Sequence, residues 1–149
     1  MKKMTSNGYE IYYDETNSEA VGIVYKNMVF LKDVSEREMD WDEAVEYCQK
    51  ILINGIRAEL CPVTKDWYIE FTAIYLGLQQ ALKEIGAEKS DCCTWCCDCD
   101  SSNLRSCIEK FYPWSKTWYA WVQSFENGNM FEDLKSHNYY VRPVLVLDR

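Results

Sequence analysis

Five of the chain's eight cysteines lie within ten residues, in the stretch DCCTWCCDCD that runs from Asp91 to Asp100. A Cys-x-x-Cys and a Cys-x-Cys at such short spacing can bind zinc in tetrahedral geometry. The candidate ligands are Cys93, Cys96, Cys97, Cys99, Cys107 and His137. Structural zinc sites usually join two distant knuckles, and only one knuckle is clear here. We therefore expect unligated thiols, and we predict no metal and no cofactor.

A disulfide framework is a further interpretation of the same cysteines. Small secreted domains space their cysteines along the chain, whereas adjacent pairs such as Cys92-Cys93 and Cys96-Cys97 point their side chains in diverging directions. Reduced thiols are the expectation, and the zinc site and a disulfide stay open as alternatives.

Catalysis by a thiol would need a base, and His137 is the only histidine of the chain. A single loop histidine is more often solvated than catalytic. Asp98 and Asp100 could act as an acid and base pair, but a solvated acidic loop is the simpler interpretation. We predict that the protein is not an enzyme and has no catalytic residues.

Composition limits the size and the partners of the molecule. With 149 residues, of which 48% are hydrophobic, the chain can bury one core, so we predict a single domain over 1–149. A formal net charge of −8 argues against nucleic acid and anionic membranes as partners. No apolar run approaches the ~20 residues of a membrane span, so we expect no membrane insertion. No secretion signal is visible at the start, and localisation stays unknown.

Two helices are predicted between groups of strands. Asp40 can cap the first helix with Glu43 reaching back, and Gly55 suits the position just past its end. Cys48 falls on the apolar stripe of this helix and is expected in the core. The second helix is predicted from Thr64 to Gly86.

Strands are predicted on both sides of these helices. EIYYDE and AVGIVYKNMVFLKDV precede them, with YKNM as a tight turn. A mostly irregular segment with one short strand near Trp95 follows them, and then TWYAWVQSF, NMFED and YYVRPVLVL read as strands, with a hairpin turn at Asn127-Gly128. Pro143 requires an edge or a bulge. The pattern predicts an α+β domain whose terminal strands could pair.

Five stretches carry a resemblance to a known family: MDWDEAVEYCQK, LCPVTKDW, TWCCDCDSSN, AWVQSFENGN and NYYVRPVLVL, in that order. They resemble the C-type lectin-like domains of bacterial, phage and archaeal-virus proteins, above all the variable proteins diversified by retroelements. The resemblance covers about Ile23 to Leu147. It implies a C-type lectin-like fold, with two helices packed on small antiparallel sheets, paired terminal strands and a C-terminal loop-and-hairpin binding face. It also implies a display protein of a phage, viral or bacterial surface that binds a macromolecule. The area that a binding face offers favours a protein surface over a small molecule as this ligand.

The sequence departs from the family in two features, which concern sugar binding and disulfide formation. The Glu-Pro-Asn or Gln-Pro-Asp loop and the Trp-Asn-Asp strand of calcium-dependent lectins are missing, so calcium-dependent sugar binding is not expected. The cysteine with which Cys48 would pair in secreted lectin domains is missing from the last strand, so Cys48 is expected to stay reduced.

Retroelement diversification would account for the cysteine cluster in another way. Changes at the first two bases of an AAC codon can give Cys, Asp, Ser, Arg, Leu, Phe, Tyr, His or Asn, but never Trp, Glu, Gln, Lys or Met. Some clustered cysteines would then be products of randomisation. Compatible residues are Asp98, Asp100, Asn103, Arg105, Tyr112, Tyr119, Phe131, Asp133, Leu134, His137 and Asn138, whereas Trp114, Trp118, Trp121 and Glu132 would be fixed.

The predicted binding segment spans about 91–140 and is rich in aromatic residues, which offer rigid contact area. Its candidate ligand-binding residues are Asp98, Asp100, Asn103, Arg105, Tyr112, Trp114, Trp118, Tyr119, Gln123, Phe131, Glu132, Asp133, His137 and Asn138. Strand alternation predicts that one face of TWYAWVQSF is buried and the other exposed, with Trp121 inward. The alternatives are a non-diversified structural or adhesion domain of a bacterial surface protein and, third, a zinc-stabilised domain.

Overall fold

The structure is a computed structural model and describes residues 2–64, 66–98 and 118–147. These residues form two α-helices and three small antiparallel sheets, so the predicted α+β class is confirmed. In chain order the elements are β1 (Glu10–Tyr13), β2 (Ala20–Tyr25), β3 (Met28–Leu31), α1 (Trp41–Gln49), β4 (Leu52–Ile53), β5 (Ile56–Arg57), α2 (Trp67–Glu84), β6 (Cys93–Asp98), β7 (Tyr119–Ser124), β8 (Met130–Leu134) and β9 (Val144–Val146). No helix of the described part is long and apolar enough to cross a membrane.

The first sheet has four strands in the order β1-β2-β3-β9. Tyr25 pairs with Met28 across a two-residue turn, which confirms the predicted YKNM hairpin. β9 pairs with β3 and begins directly after Pro143, at the edge of the sheet as expected. The predicted pairing between the N-terminal and C-terminal strands occurs through β3 and β9, whereas the first and last strands, β1 and β9, lie at opposite edges.

Helix α1 begins with the predicted capping box. The Asp40 side chain accepts from the Glu43 amide at 2.9 Å, and Glu43 accepts from the Asp40 amide at 3.1 Å. The predicted end at Gly55 is wrong, since α1 ends at Gln49. Asn54 and Gly55, with φ of 51° and 79°, form the turn between β4 and β5 instead. Two adjacent residues with positive φ suit a tight hairpin better than a helix end.

Helix α2 begins at Trp67, just after the predicted start at Thr64, and Gly86 follows its end with φ of 100°. That conformation favours glycine and terminates helices. The side chains of Trp67, Phe71 and Leu78 on the predicted stripe are buried. α2 therefore packs as predicted, with its apolar stripe toward the sheets.

The third sheet has the order β6-β7-β8, and β6 contains Trp95 as predicted. The hairpin between β7 and β8 is confirmed, although its loop is longer than two residues: the Ser124 amide donates to the Asn129 carbonyl at 2.9 Å. Gly128, with φ of 78°, lies against the Tyr75 ring of α2. The β7–β8 turn is thus fixed against α2.

The core lies on both faces of β3. Phe30 belongs to a cluster with Trp67 and Phe71 of α2, while Val29 belongs to a cluster with Cys48 of α1 and Trp95. The β-strand period of two sends neighbouring side chains to opposite faces, so one strand serves both clusters.

Arg142 is fully buried beside this core. Its Nη1 donates to the carbonyls of Leu31 and Lys32 at 2.6 and 3.1 Å, and its Nη2 donates to the Lys89 carbonyl at 2.5 Å. The guanidinium carbon lies 5.0 Å from the centre of the Phe125 ring. Burial lowers the pKa of Arg142 to about 10. The side chain joins β3, the segment before β6 and the β7–β8 loop.

Burial of the Cys48 thiol predicts that the protein loses stability at alkaline pH. Burial, with the nearby Glu59 charge, raises the pKa of the Cys48 thiol from 9.0 to about 12. The Cys48 thiol ionises at lower pH in the unfolded chain than in the folded protein. The stability that the buried neutral thiol contributes is therefore complete below pH 9 and is lost as the pH rises toward 12. We expect ionisation of Cys48 to lower the free energy of unfolding by at most ~1.4 kcal/mol for each pH unit in that window.

Urea unfolding of the Cys48→Ala variant at a series of alkaline pH values tests this slope. The variant should show a shallower loss than the parent, while Val45→Ala, which opens a cavity in the same cluster without removing an ionisable group, should keep the parent slope. Parallel curves for Cys48→Ala and the parent would contradict the assignment.

Candidate functional site

An aromatic series crosses one face of the third sheet. Trp95 pairs with Val122, and Val122 pairs with Phe131, so the three side chains point to the same side. The Tyr139 ring lies over them, 5.0 Å from Trp95 and 5.9 Å from Phe131 between ring centres. Trp95 is fully buried, whereas Phe131 is 37% exposed. The series therefore runs from the core to the surface.

Asp133 organises the polar side of this face. Its carboxylate accepts from the Tyr139 hydroxyl, from His137 Nδ1 at 2.8 Å and from the Leu134 amide at 2.7 Å. Burial acts to raise the pKa of Asp133, but the hydrogen bonds from Tyr139 and His137 outweigh it, so the pKa lies below its usual value. Burial and the Asp133 hydrogen bond raise the pKa of Tyr139. An ionised carboxylate thus orients both rings.

Trp118 borders an open depression of about 480 Å³ at the start of β7. The Trp118 side chain is 60% exposed, and its carbonyl accepts from the Lys135 amide at 2.8 Å. Lys135 Nζ lies 4.1 Å from the centre of the Trp41 ring. The residues that line the depression are Asp40, Asp42, Trp118, Leu134, Lys135 and Ser136. The depression combines an exposed aromatic ring with charges of both signs.

The structure brings together part of the predicted binding residues. Exposed members are Trp118, Phe131, His137 and Asn138, and partly buried members are Tyr119, Glu132 and Asp133. The backbone of Asp98 ends β6 opposite Ala120. Predicted members outside the described residues are Asp100, Asn103, Arg105, Tyr112 and Trp114. Of the described members on this hairpin, Tyr119 and Asp133 lie toward its open end, whereas Phe131 and Gln123 lie nearer its turn.

Gln123 is a correction to the predicted site. It is fully buried, and its Oε1 accepts from Trp67 Nε1 at 3.1 Å. The expected exposure of one face of this strand is also wrong, since every side chain from Ala120 to Phe125 is buried. β7 is the central strand of its sheet, and α2 and the Tyr139 segment cover its two faces. Gln123 therefore supports the core and cannot contact a ligand at the surface.

Replacement of Gln123 should change stability only. Gln123→Met keeps the length of the side chain but leaves the buried Trp67 N–H unpaired, so we expect the free energy of unfolding to fall by about 1–2 kcal/mol. Urea unfolding gives this value, and Gln49→Met on the exposed end of α1 serves as the control with a change near zero. Equal effects of the two substitutions would show that the Trp67 hydrogen bond contributes nothing.

The cysteines of β6 lie on both faces of the strand. Cys93 packs against the cluster on one face of the strand, while Cys96 belongs to the cluster on the other. Burial and then the neighbouring Cys61 raise the pKa of Cys96, which favours a neutral thiol. Within the described ranges no group of three or more His, Cys, Asp or Glu side chains could hold a metal ion. Cys99 and Cys107 lie outside these ranges, so the zinc alternative stays untested there.

Some residues of the site were not predicted from the sequence. The sequence indicates only a helix cap for Asp40 and no role for Asp42, Lys135 and Ser136. They meet Trp118 because β8 ends beside the start of α1, where the Trp41 amide donates to the Lys135 carbonyl at 3.0 Å. No local pattern signals a contact between segments so far apart in the chain.

Comparison with known proteins adds no family to this description. No protein-family model matches the chain, and no curated protein matches it.

Proposed function

We propose that this chain is a C-type lectin-like domain that binds a macromolecular ligand, with the open end of the β7–β8 hairpin as its binding face. Binding rather than catalysis is its role, and a protein surface is its ligand. The face comprises Trp118, His137 and Asn138, with Phe131 further along β8, together with the adjacent depression. We further propose that the protein is displayed on a phage, viral or bacterial surface and that a retroelement diversifies its gene.

The observation that carries this proposal is the exposure of Trp118. Tryptophan is enriched among the residues that dominate binding energy, because its rigid ring buries a large area at low entropic cost. Here 60% of the side chain is exposed at the rim of a depression that holds Asp40, Asp42 and Lys135. An exposed aromatic anchor within a charged rim is typical of a protein-binding surface.

The separation of face and scaffold also supports the proposal. His137 and Asn138 are exposed, whereas Val141 and Arg142, a few residues later, are fully buried. Substitution at the exposed positions removes little packing, so a diversified face would leave the fold intact. Among the residues that AAC codons cannot yield, Trp121 is only 8% exposed, as expected of a fixed core position.

Population sequencing tests the proposal. The gene and its flanking DNA would be read from many members of the source population, and each varying codon placed on the structure. We expect variation at Phe131, Asp133, His137 and Asn138, constancy at Trp95, Trp121 and Gln123, and a near-copy of the segment nearby.

Three outcomes would contradict this proposal. Uniform sequence over 91–138, with every cysteine retained, would favour the non-diversified structural domain. Variation spread equally over buried and exposed positions would remove the link between diversity and a binding face. Stoichiometric zinc in protein purified without added metal, lost together with folding on chelation, would favour the zinc-stabilised domain.

A further inference from the structure

Two thiols meet where the segment before α2 runs beside β6. Cys61 and Cys96 form a parallel bridge between the two segments, and the Cys97 amide donates to the Cys61 carbonyl at 3.0 Å. The Val63 amide donates to Cys97 Sγ at 3.2 Å, so the contact continues past the bridge. These backbone and side-chain contacts hold Cys61 directly beside Cys96.

The side chains of the pair enter the same part of the core. Cys61 and Cys96 are both 0% exposed, and both belong to the cluster that contains Trp67. Their thiols form a hydrogen bond with one another. Neighbouring strands lie ~4.8 Å apart, which falls within the roughly 4.4–6.8 Å that separates the Cα atoms of a disulfide. The position and direction of the two side chains therefore suit a covalent bond.

The other described cysteines contact different parts of the domain. Cys48 is buried in the second cluster of the core, and Cys93 packs against that same cluster. Cys92 lies beside the Arg142 guanidinium. Cys97 follows directly after the bridged strand position, and its Sγ accepts from a backbone amide. The bridged pair thus differs from these cysteines in having a thiol as the neighbour of a thiol.

We propose that Cys61 and Cys96 become joined by a disulfide when the chain folds in the presence of a small-molecule disulfide such as oxidised glutathione. One cysteine thiolate attacks the oxidised glutathione, forms a mixed disulfide and releases one glutathione. The second cysteine then attacks the mixed disulfide, forms the Sγ–Sγ bond and releases the other glutathione. The two protein thiols lose two electrons and two protons, and oxidised glutathione becomes two reduced molecules.

The bond has to form before the core closes. The thiolate is the reactive form of cysteine, but burial and then the neighbouring Cys61 raise the pKa of Cys96. Both thiols are also fully buried in the folded domain, so an oxidant in solution does not reach them there. The same burial protects the finished bond from reductants. Folding therefore determines whether the pair is oxidised.

The bond would join the segment before α2 to the strand that begins the third sheet. The loop that it closes runs from Cys61 to Cys96 and includes all of α2. Closing such a loop restricts the unfolded chain and so stabilises the folded one. Disulfides persist outside the reducing cytosol, so the modification suits a displayed domain. The inference does not rest on the proposed binding function, because it needs only the two adjacent thiols.

Refolding of the full chain tests the proposal. Fully reduced, urea-unfolded protein is refolded with a mixture of reduced and oxidised glutathione or with reduced glutathione alone, and free thiols are then alkylated. After trypsin digestion without reductant, we expect peptides 58–65 and 90–105 to be linked only in the oxidised sample, with fragmentation assigning the bond to Cys61 and Cys96. The oxidised protein should melt at least about 5 °C above the reduced one, and dithiothreitol added to the unfolded protein should remove this difference.

Two alanine variants identify the cysteines that carry this effect. Cys96→Ala should lose the rise in melting temperature, whereas Cys97→Ala should keep both the rise and the linked peptides. If Cys96→Ala does not fold, fragmentation of the linked peptides from the parent still identifies the bond. An oxidised parent without a bond between Cys61 and Cys96, or one that melts below the reduced parent, would overturn the proposal. So would a Cys96→Ala variant that keeps the full rise.

Discussion

Arg142→Met should lower the free energy of unfolding by about 3–5 kcal/mol, as expected when one partner of a buried charged network is removed. The guanidinium spans the carbonyls of Leu31, Lys32 and Lys89, and methionine can donate to none of them. A buried carbonyl without a donor costs free energy because it has also lost water. Urea unfolding followed by tryptophan fluorescence measures the change.

Two further variants show whether the hydrogen bonds carry this effect. Arg142→Lys keeps the charge but lacks the planar fork, so it should recover only part of the lost stability. Arg37→Met removes an exposed arginine whose partner is Glu43, and we expect a change below about 1 kcal/mol. A loss at Arg142→Met no larger than at Arg37→Met would contradict the structural role of Arg142.

Trp95→Ala should destabilise the domain by about 3–5 kcal/mol, the range for removal of a large buried aromatic side chain. The Trp95 indole is fully buried, its Nε1 donates to the Met39 carbonyl at 2.8 Å, and its ring contacts Tyr139 edge-on. The substitution should also release Tyr139, which lies between Trp95 and Phe131. Urea unfolding reports the first effect, and near-UV circular dichroism of the still folded fraction reports the second.

Trp118→Ala is the matched control, because the side chain removed is the same but is largely exposed. We expect it to change stability by less than about 1 kcal/mol while it removes the aromatic anchor of the candidate face. If the two tryptophan variants were equally unstable, the division into a core residue and a surface residue would be wrong.

The elements with local chemical signals were predictable from the sequence. Three features each depend on contacts within a few residues: the Asp40 and Glu43 capping box, the buried apolar stripe of α2 and the glycine that follows this helix. Likewise, Pro143 lacks an N–H, which restricts it to the edge where β9 begins. The α+β class follows from the order of these elements.

The contacts that shape the site depend on distant parts of the chain. Gln123 is polar and lies in a strand with apparent alternation, but the Trp67 indole from α2 gives its amide a buried partner. Asp133 gains its two ring partners only because the segment after β8 turns back over the sheet. The sequence indicates a helix end at Gly55 because the strands β4 and β5 are each too short to give a recognisable strand pattern.

The pairing of β3 with β9 has a consequence for a gene under random mutation. Val29 pairs with Leu145, so the first sheet is completed only after the residues up to β9 have been translated. A frameshift or stop codon anywhere in the proposed variable segment removes both β9 and Arg142. Such products lack a strand and a buried core contact, so cellular proteases should clear them as unfolded chains. The fold would thereby act as a check of the reading frame, and only in-frame variants would accumulate as folded protein.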